Sequence, residues 1–592
     1  MTATVLGVER SATGRRWVER GMGGVEAERL GLAIAQRHGL PEIVGRLIAG
    51  RGIDLDAVER FLDPTLKTEL PDPSVLKDMD AAATRLADAV EAGGAIGLFA
   101  DYDVDGATSA ALMSRYLRAV GTETVVHIPD RIDEGYGPNL PALQGLADRG
   151  AGVVACLDCG ILAVDTLGEA RAAGIDVIVI DHHLAGPELP PAVAVVNPNR
   201  LDEDGRFGQL AACGVTFLVL VALNRELRRR GRFRAGAEPD LRALLDVVAL
   251  GTVCDVVPLA GLNRAFVAQG LKVMAGRGNP GLAALGDIAR LDRRPDPYHL
   301  GFVLGPRINA GGRVGRADLG ARLLSTDDPA EAAALSAELD RYNDERRVIE
   351  AQVLEAAIEQ AEGQGDAPAL VVVGDGWHPG VVGIVASRLK DRFNRPACVV
   401  GVEDGQGKGS GRSVPGVQLG AAVIAAQQSG LLLKGGGHAM AAGFTVALDR
   451  VDAFRAFLCD RVTGELAGAA ATATLSIDAA LATAGATGDL VRTVGRIGPF
   501  GTGNPEPRFV FPAARVVGAG VVGENHVRCT LAGADGGRLK AIAFRALDGD
   551  LGPALLKAGS SPLHVAGHLR ADDFRGGDQV QLIVDDAAPV GG

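Results

Sequence analysis

The stretch AIGLFADYDVDG, residues 95–106, decides the fold. Its apolar run, Ala95–Ala100, is too short for a helix and stops at three aspartates on alternate positions, Asp101, Asp103 and Asp105. Short apolar runs alternating with Ala-rich helical segments predict a parallel α/β sheet, and the pattern persists from about residue 80 to 260. Residues 153–157 run into Asp158 in LDCG, and Val177–Ile180 runs into Asp181, His182 and His183 in VIDHH. A fourth apolar run, residues 247–253, leads to Asp255 in GTVCDVVP. Open parallel sheets gather ligands beyond the carboxyl ends of their strands. Six aspartates and two histidines are therefore expected at one edge.

So many carboxylates cannot ionise together at close range without compensation, and divalent cations are the natural compensation. Oxygen donors with one or two imidazoles and no paired thiolates favour Mn²⁺ or Mg²⁺ over zinc. Two such ions about 3.5 to 4 Å apart bracket a phosphate, activate water and stabilise the leaving oxygen, so the reaction class is phosphoester hydrolysis. DxDxDG is not an EF-hand here, because the twelfth position from Asp101 is Leu112 and an apolar strand precedes it. Cys156 and Cys159 form a CxxC with no second pair, which reads as buried strand-end thiols.

A chain of 592 residues implies about three or four domains. Its 47% hydrophobic and 22% charged residues are those of a globular protein, not a disordered one. No apolar run reaches the ~18 residues that cross a bilayer, so no membrane association is expected. The N-terminus lacks an apolar signal core, and seven thinly spread cysteines suit reduced thiols, which places the protein in the cytoplasm. The net charge of −13 sets the distribution of basic residues above their sum. The cluster Arg225, Arg228, Arg229, Arg230, Arg232 and Arg234 reads as a solvated helix end before it reads as a DNA track.

Residues 1–75 read as a small lead-in layer, with helical spacing over 55–62, and residues 76–325 as the α/β domain. The Pro- and Gly-poor segment 326–365 predicts a long connector helix. A second α/β block spans 366–465, with glycine-rich loops at 405–411 and 435–437. Successive glycines followed by a helix after His438 would form an anion-binding nest. Neither loop is a P-loop, since Lys408 is followed by glycine, and an ATP-driven motor is disfavoured. An Ala-rich linker over 467–473 leads to a β-rich tail, 470–592, that suggests a small barrel.

The motifs ADYDVDG, LDCG, VIDHH and GTVCDVVP, in that order, resemble the four motifs of the DHH phosphoesterase superfamily. The resemblance implies Asp103, Asp105, Asp158, His182 and Asp255 as metal ligands with Asp101 assisting. It also implies Asp105 and Asp158 as bridging carboxylates, and His183 close to the scissile phosphate. GPRINAGGRVGRA, residues 305–317, and EGYGPN, residues 134–139, resemble the RecJ exonuclease family, which usually carries Ala at the position of Gly311. There Arg307 and Asn309 would approach substrate phosphate, and Tyr136 would stack on a base or pack in its turn. GSGRS and GGGHAMAAGF resemble the DHH-associated substrate domain, in which Ser410, Arg412 and His438 would hold a nucleotide phosphate. Trp377 and His378, in DGWHPGVVGIVASRL, match the same domain and would lie near the cleft between blocks.

GPFGTGNPEPRF and the tail are similar to the family's oligonucleotide-binding (OB) barrel, with Phe500, Phe509, Phe511, Phe544 and Phe574 divided between core and base stacking. The resemblance runs from about residue 50 to 590. It implies a single-strand-specific 5′ to 3′ DNA exonuclease that releases 5′-mononucleotides in repair and recombination. It also implies two Mn²⁺ or Mg²⁺ ions, action as a monomer, and a helicase or single-strand-binding protein as partner. The alternatives are a superfamily phosphodiesterase acting on short oligonucleotides or cyclic dinucleotides, and a non-cleaving scaffold, which the intact motifs argue against.

Overall fold

The computed structural model describes residues 4–21, 23–131, 133–234, 236–403, 405–466, 473–559, 561–571 and 579–591. The chain forms two compact units, one of residues 69–471 and one that joins residues 1–68 to residues 472–592.

The larger unit starts with α1 (Met79–Ala92) and the strand β1 (Ala95–Ala100). Then come α2 (Val104–Ala119), β2 (Thr124–His127), α3 (Leu140–Asp148), β3 (Ala151–Leu157), α4 (Val164–Ala172), β4 (Val177–Ile180) and β5 (Ala194–Val196). The five strands form a parallel sheet in the order β2-β1-β3-β4-β5. Residues Val153 to Leu157 and Val177 to Ile180 are buried on both sheet faces, as a helix-covered parallel sheet requires. The expectation for the first three apolar runs is met.

The fourth run is a helix. After α5 (Ala212–Arg229), residues 247–253 lie within α6 (Leu245–Cys254), and Asp255 follows its last turn. Every residue from 245 to 252 is buried, Asp246 and Thr252 included, so the helix carries no 3.6-residue stripe to separate it from a buried strand. The arginines at the end of α5 are neutralised locally. Arg225 pairs with Asp72 and Asp80, Arg228 with Glu238, and Arg230 with Asp88, Glu91 and Glu226.

GPRINAGGRV forms α7 (Gly305–Val314), and the long connector is α8 (Pro329–Gly363), capped by Asp328, whose side chain accepts from Ala330 N at 2.8 Å. The second block runs β6 (Leu370–Asp375), α9 (Pro379–Phe393), β7 (Ala397–Glu403), β8 (Gln406–Arg412), α10 (Leu419–Gln428), β9 (Lys434–His438) and β10 (Ala441–Ala447). Its mixed sheet has the order β9-β10-β8-β7-β6.

Both glycine-rich segments expected as loops are strands, β8 and β9, and no helix follows His438, because β9 turns directly into β10. The glycines are there for packing. A Cβ at Gly409 would sit 2.3 Å from the Phe444 ring, and one at Gly411 would sit 2.8 Å from Leu419. Bare backbone lets side chains of the same sheet and of α10 close over the strand.

In the smaller unit, β11 (Phe509–Val522), β12 (His526–Ala532), β13 (Arg538–Ala543), β14 (Leu563–Ala571) and β15 (Val580–Pro589) pair in the order β11-β12-β13-β15-β14. The pairing of β11 with β14 closes the barrel, so the tail is an OB-type barrel as expected. Phe509 and Phe511 are core, Phe544 is exposed, Phe500 packs against the core edge, and Phe574 lies outside the described residues. The linker reading over 467–473 falls almost wholly outside them too.

Ile34, Val44, Leu47 and Ile48 join the barrel's core, and Arg16–Glu19 pairs in parallel with Thr474–Ile477. Trp17 is fully buried there and its Nε1 donates to Asp586 Oδ2 at 3.0 Å. The other oxygen of Asp586 accepts from Thr13 N at 3.3 Å and Ala587 N at 2.8 Å. Asp586→Ala leaves a buried indole N–H without an acceptor and is expected to cost about 1–3 kcal/mol. The check is urea unfolding followed by Trp17 fluorescence in a Trp377→Phe background, where the midpoint should fall.

Candidate metal centre and phosphate site

The turn after β1 is built around its acids. Asp103 caps α2, its Oδ1 accepting from Asp105 N at 2.8 Å and Gly106 N at 3.2 Å. A Cβ at Gly106 would lie 2.2 Å from the Asp101 carbonyl oxygen, so the tight strand-to-helix turn requires glycine there. Asp105 is fully inside. Its Oδ2 accepts from Ala212 N at 2.6 Å and its Oδ1 from Cys213 N at 2.9 Å. These are free amides of the first turn of α5, whose positive end favours a buried carboxylate.

Asp158 follows β3 with φ 61, a left-handed conformation unusual for a side-chain-bearing residue, fixed by its N–H bonding Ile180 O at 2.9 Å. His182 Nδ1 lies 3.0 Å from Leu210 O, which only accepts, so Nδ1 donates there and the ring turns its other nitrogen, Nε2, toward the carboxylates. That Nε2 faces Asp158 Oδ1 at 3.3 Å and Asp105 Oδ2 at 3.9 Å.

Three overlapping donor groups result: Asp101, Asp103 and Asp158; Asp105, His182 and Asp255; and Asp158, His182 and His183. Asp158 and His182 each belong to two of them. Buried Asp101 Oδ1, Asp158 Oδ1 and Asp255 Oδ2 have no hydrogen-bond donor. Burial, then the Asp103 charge, pushes the Asp101 carboxyl well above its ordinary range, and burial, then the Asp105 charge, does the same to Asp158. Burial and the charges of Asp105 and Asp103 push Asp255 up to about 9. Donor atoms within 4.8 Å of one another in each group, several of them buried oxygens that no donor reaches, fit divalent cations. No described cysteine belongs to these groups, and Cys156 and Cys159 are buried.

Asp181, at the same edge, has another role. It accepts from Ile161 N, His182 N and His183 N at 3.1, 2.7 and 3.1 Å, and from His183 Nδ1 at 2.7 Å. Burial opposes ionisation of both groups, but the Asp181–His183 bond prevails, holding the carboxyl low and raising the imidazole. Tyr136 O–H completes this corner, 3.2 Å from His183 Nδ1 and 3.3 Å from Asp158 O. Its sequence-based reading as a base-stacking or turn residue missed this contact.

Of the residues expected to meet phosphate, Ser410 and Arg412 come together on β8, with Arg412 Nη1 donating to Ser410 Oγ at 3.1 Å. Arg307 is instead tied to α8, its Nε donating to Asp340 at 2.8 Å and its Nη1 to Val303 O at 2.7 Å, while Asn309 is half-buried on the same helix. The arginine of that motif within electrostatic reach of the aspartates is Arg313, which sequence reasoning passed over. Burial, then the charges of Arg131 and Arg346, lowers Arg313 to about 10, and burial, then Arg131, lowers Arg412. Arg131 stacks 5.0 Å above the ring of Tyr102. Guanidiniums that repel one another in this way would be relieved by an anion between them.

Trp377 lies over Gly374 and Gly401, where a Cβ would collide with it, and His378 caps α9 through its Nδ1, which accepts from Gly380 N at 3.1 Å. Arg313 Nη1 donates to Gly380 O at 2.9 Å, which joins the motif of α7 to the first turn of α9.

A parallel sheet ending in buried carboxylates and imidazole, faced by arginines, defines a divalent-metal-dependent phosphoesterase of the DHH class. Residues 95–252 match the DHH family, N-terminal domain, residues 366–464 the DHHA1 domain, and residues 477–586 the RecJ OB domain. The chain is 38% identical over 568 residues to the single-stranded-DNA-specific exonuclease RecJ of Dickeya dadantii, covering 93% of this chain and 96% of that protein. To RecJ of Escherichia coli it is 37% identical over 565 residues, with the same 93% and 96% coverage. The crystal structure of RecJ in complex with Mn²⁺ from Thermus thermophilus superposes with a TM-score of 0.81 at 30% identity, covering 96% of this chain and 79% of that one. A second crystal structure of that protein holds Mg²⁺ and gives a TM-score of 0.75 at 28% identity, covering 97% and 78%. The chain belongs to the RecJ family of single-stranded-DNA-specific exonucleases.

Two substitutions test the site. Asp158→Ala removes a member of two donor groups and should abolish Mn²⁺-dependent turnover with the circular dichroism spectrum unchanged. Asp181→Asn removes the carboxylate that orients His183 and should lower kcat by about 10- to 100-fold, in the range of orienting residues at metal sites.

Proposed function

We propose that this chain degrades single-stranded DNA from the 5′ end, hydrolysing phosphodiester bonds to release 5′-mononucleotides in DNA repair and recombination. The observation that carries the reading is the set of buried carboxylate oxygens without a donor in the metal groups, beside the cluster of Arg131, Arg313 and Arg412. Asp101, Asp103 and Asp158 would hold one cation and Asp105, His182 and Asp255 the other, with Asp158 and Asp105 as bridging candidates. The ions, Mn²⁺ or Mg²⁺, supply when bound a water of lowered pKa and positive charge against the phosphoryl oxygens.

The protein's own groups do the rest. Asp181 holds His183 Nδ1–H and favours the charged imidazole, whose Nε2–H would donate to a non-bridging oxygen of the scissile phosphate. Tyr136 braces that imidazole. Arg412, with Ser410, Arg131 and Arg313, neutralises the terminal phosphate and sets the distance from the strand end to the scissile bond, which supports attack one nucleotide from the end. Asn309 and His438 lie on elements flanking this path and are assigned to the strand backbone, and Arg307 to holding α7 on α8.

Action as a monomer is part of this reading and rests on the family resemblance. Single-strand specificity makes a helicase or single-strand-binding protein the natural companion. No helix among the described residues is long and apolar enough to cross a membrane, and seven free cysteines suit the reducing cytoplasm, where the substrate lies.

The experiment is incubation with Mn²⁺ of single-stranded and duplex DNA labelled at either end, with a chelator control. Chelator-sensitive release of mononucleotides from the 5′ end of single strands is expected. Release from the 3′ end, or cleavage of dinucleotides alone, would contradict the reading.

A further inference from the structure

Beside His183 lies a recess of about 350 Å³ that the metal chemistry does not use. Its walls are Tyr136, Pro138, Ile161, Leu162 and Leu184, and His438 stands at its rim. Leu162 and Leu184 are 66% and 63% exposed, an unusual state for two leucines in one hollow. The volume is at the lower end of the range for small-molecule pockets, about 300–1,000 Å³. The hollow is also continuous with the site: His183 and Tyr136 line it, and Tyr136 touches both His183 and the backbone of Asp158.

Its far side is fixed by the second sheet. His438 pairs with Ala441, which in turn pairs with Arg412, so His438 and Arg412 are in register two strands apart, about 10 Å. The recess thus spans from the metal-side histidine to the row that carries the terminal-phosphate arginine. A nucleotide anchored by one phosphate at each side has its sugar on the line between them, and its base is the part left to find a surface.

We infer that this recess receives the base of the terminal nucleotide, with Leu162 and Leu184 as the apolar contacts that position the end of the strand for cleavage. The inference rests on the nuclease reading above and adds to it a subsite for the departing nucleotide. The chemistry of the walls defines what is recognised. Ile161 N–H is bonded to Asp181 and Ala163 N–H to Gly160 O, and the Thr166 side chain adds one hydroxyl to the lining. With these backbone donors engaged, the hollow offers mainly dispersion and ring contacts, with Thr166 and His438 as its few polar groups, so it discriminates weakly among the four bases. What it senses is whether a base is present. Burial of a flat apolar face against two leucines and Tyr136 then contributes to holding the scissile phosphate in place.

The test compares single strands with a normal 5′-terminal nucleotide and strands whose 5′-terminal residue is a tetrahydrofuran abasic unit, both 5′-phosphorylated, measuring the first release step in Mn²⁺. The wild-type protein should release the base-bearing end about tenfold faster in kcat/KM, with less than threefold spread among the four bases. In the double variant Leu162→Ala, Leu184→Ala the ratio of base-bearing to abasic rates should collapse toward one. A Leu184→Trp variant, which fills the hollow, should reduce the ratio likewise and guards against a folding failure of the double variant. Equal wild-type rates on the two ends, or variants that slow both substrates by the same factor, would overturn the inference alone. No release from either strand would overturn the nuclease reading and the inference with it.

Discussion

Everything in the larger unit is arranged around buried negative charge that the polypeptide alone cannot satisfy. Asp101, Asp105 and Asp158 are buried and Asp255 nearly so, and three of the four keep an oxygen with no donor. Such a cluster is destabilising by itself, since each carboxylate loses its hydration and feels its neighbours. The fold tolerates it by rigid means: a parallel sheet that ends three strands at one edge, amides of α5 that hold Asp105, and a left-handed turn that sets Asp158. The unmet lone pairs are then directed inward to one place. A stability cost of this kind is typical of functional sites, where local rules are broken to fix chemistry in position.

The second block supplies the opposite sign. Arg412 and Arg313 lie close enough to Arg131 to lower one another's affinity for protons, although each bears charge throughout the neutral range. A carboxylate centre and a guanidinium cluster within the same unit suit an extended polyanion, which has one phosphate to be cut and another to be held. The glycine-dense strands β8 and β9 serve this geometry by letting the sheet pack tightly. The net charge of −13 is no obstacle, because the arginines that matter are few and the basic end of α5 is neutralised by its neighbours.

The parts legible in the sequence were those written in local pattern. Short apolar runs ending in acids gave the sheet edge and most of the candidate ligands, and the long Pro- and Gly-poor segment gave the connector. The misreadings have definite causes. The run before Asp255 is buried on all sides as a helix, so neither its period nor its length distinguished it from a strand. Runs of glycine signal turns in isolation, but here they mark strands whose outer faces are covered by Phe444 and Leu419. Arg307 and Arg313 share one motif, and only the pairing of Arg307 with Asp340 shows which of the two is already occupied. In the sequence Asp181 stands at the sheet edge without a role, because its four donors come from three residues whose arrangement is set by the fold. The union of the first 68 residues with the C-terminal barrel leaves no local trace at all, since its partners are more than 450 residues apart.

The central claim is that the orphaned lone pairs exist to hold two cations side by side. Electron paramagnetic resonance of the full chain titrated with Mn²⁺ measures this directly. The account predicts saturation at two ions per chain with the spectrum of an exchange-coupled pair. Saturation at one ion, or two ions with uncoupled spectra, would contradict it.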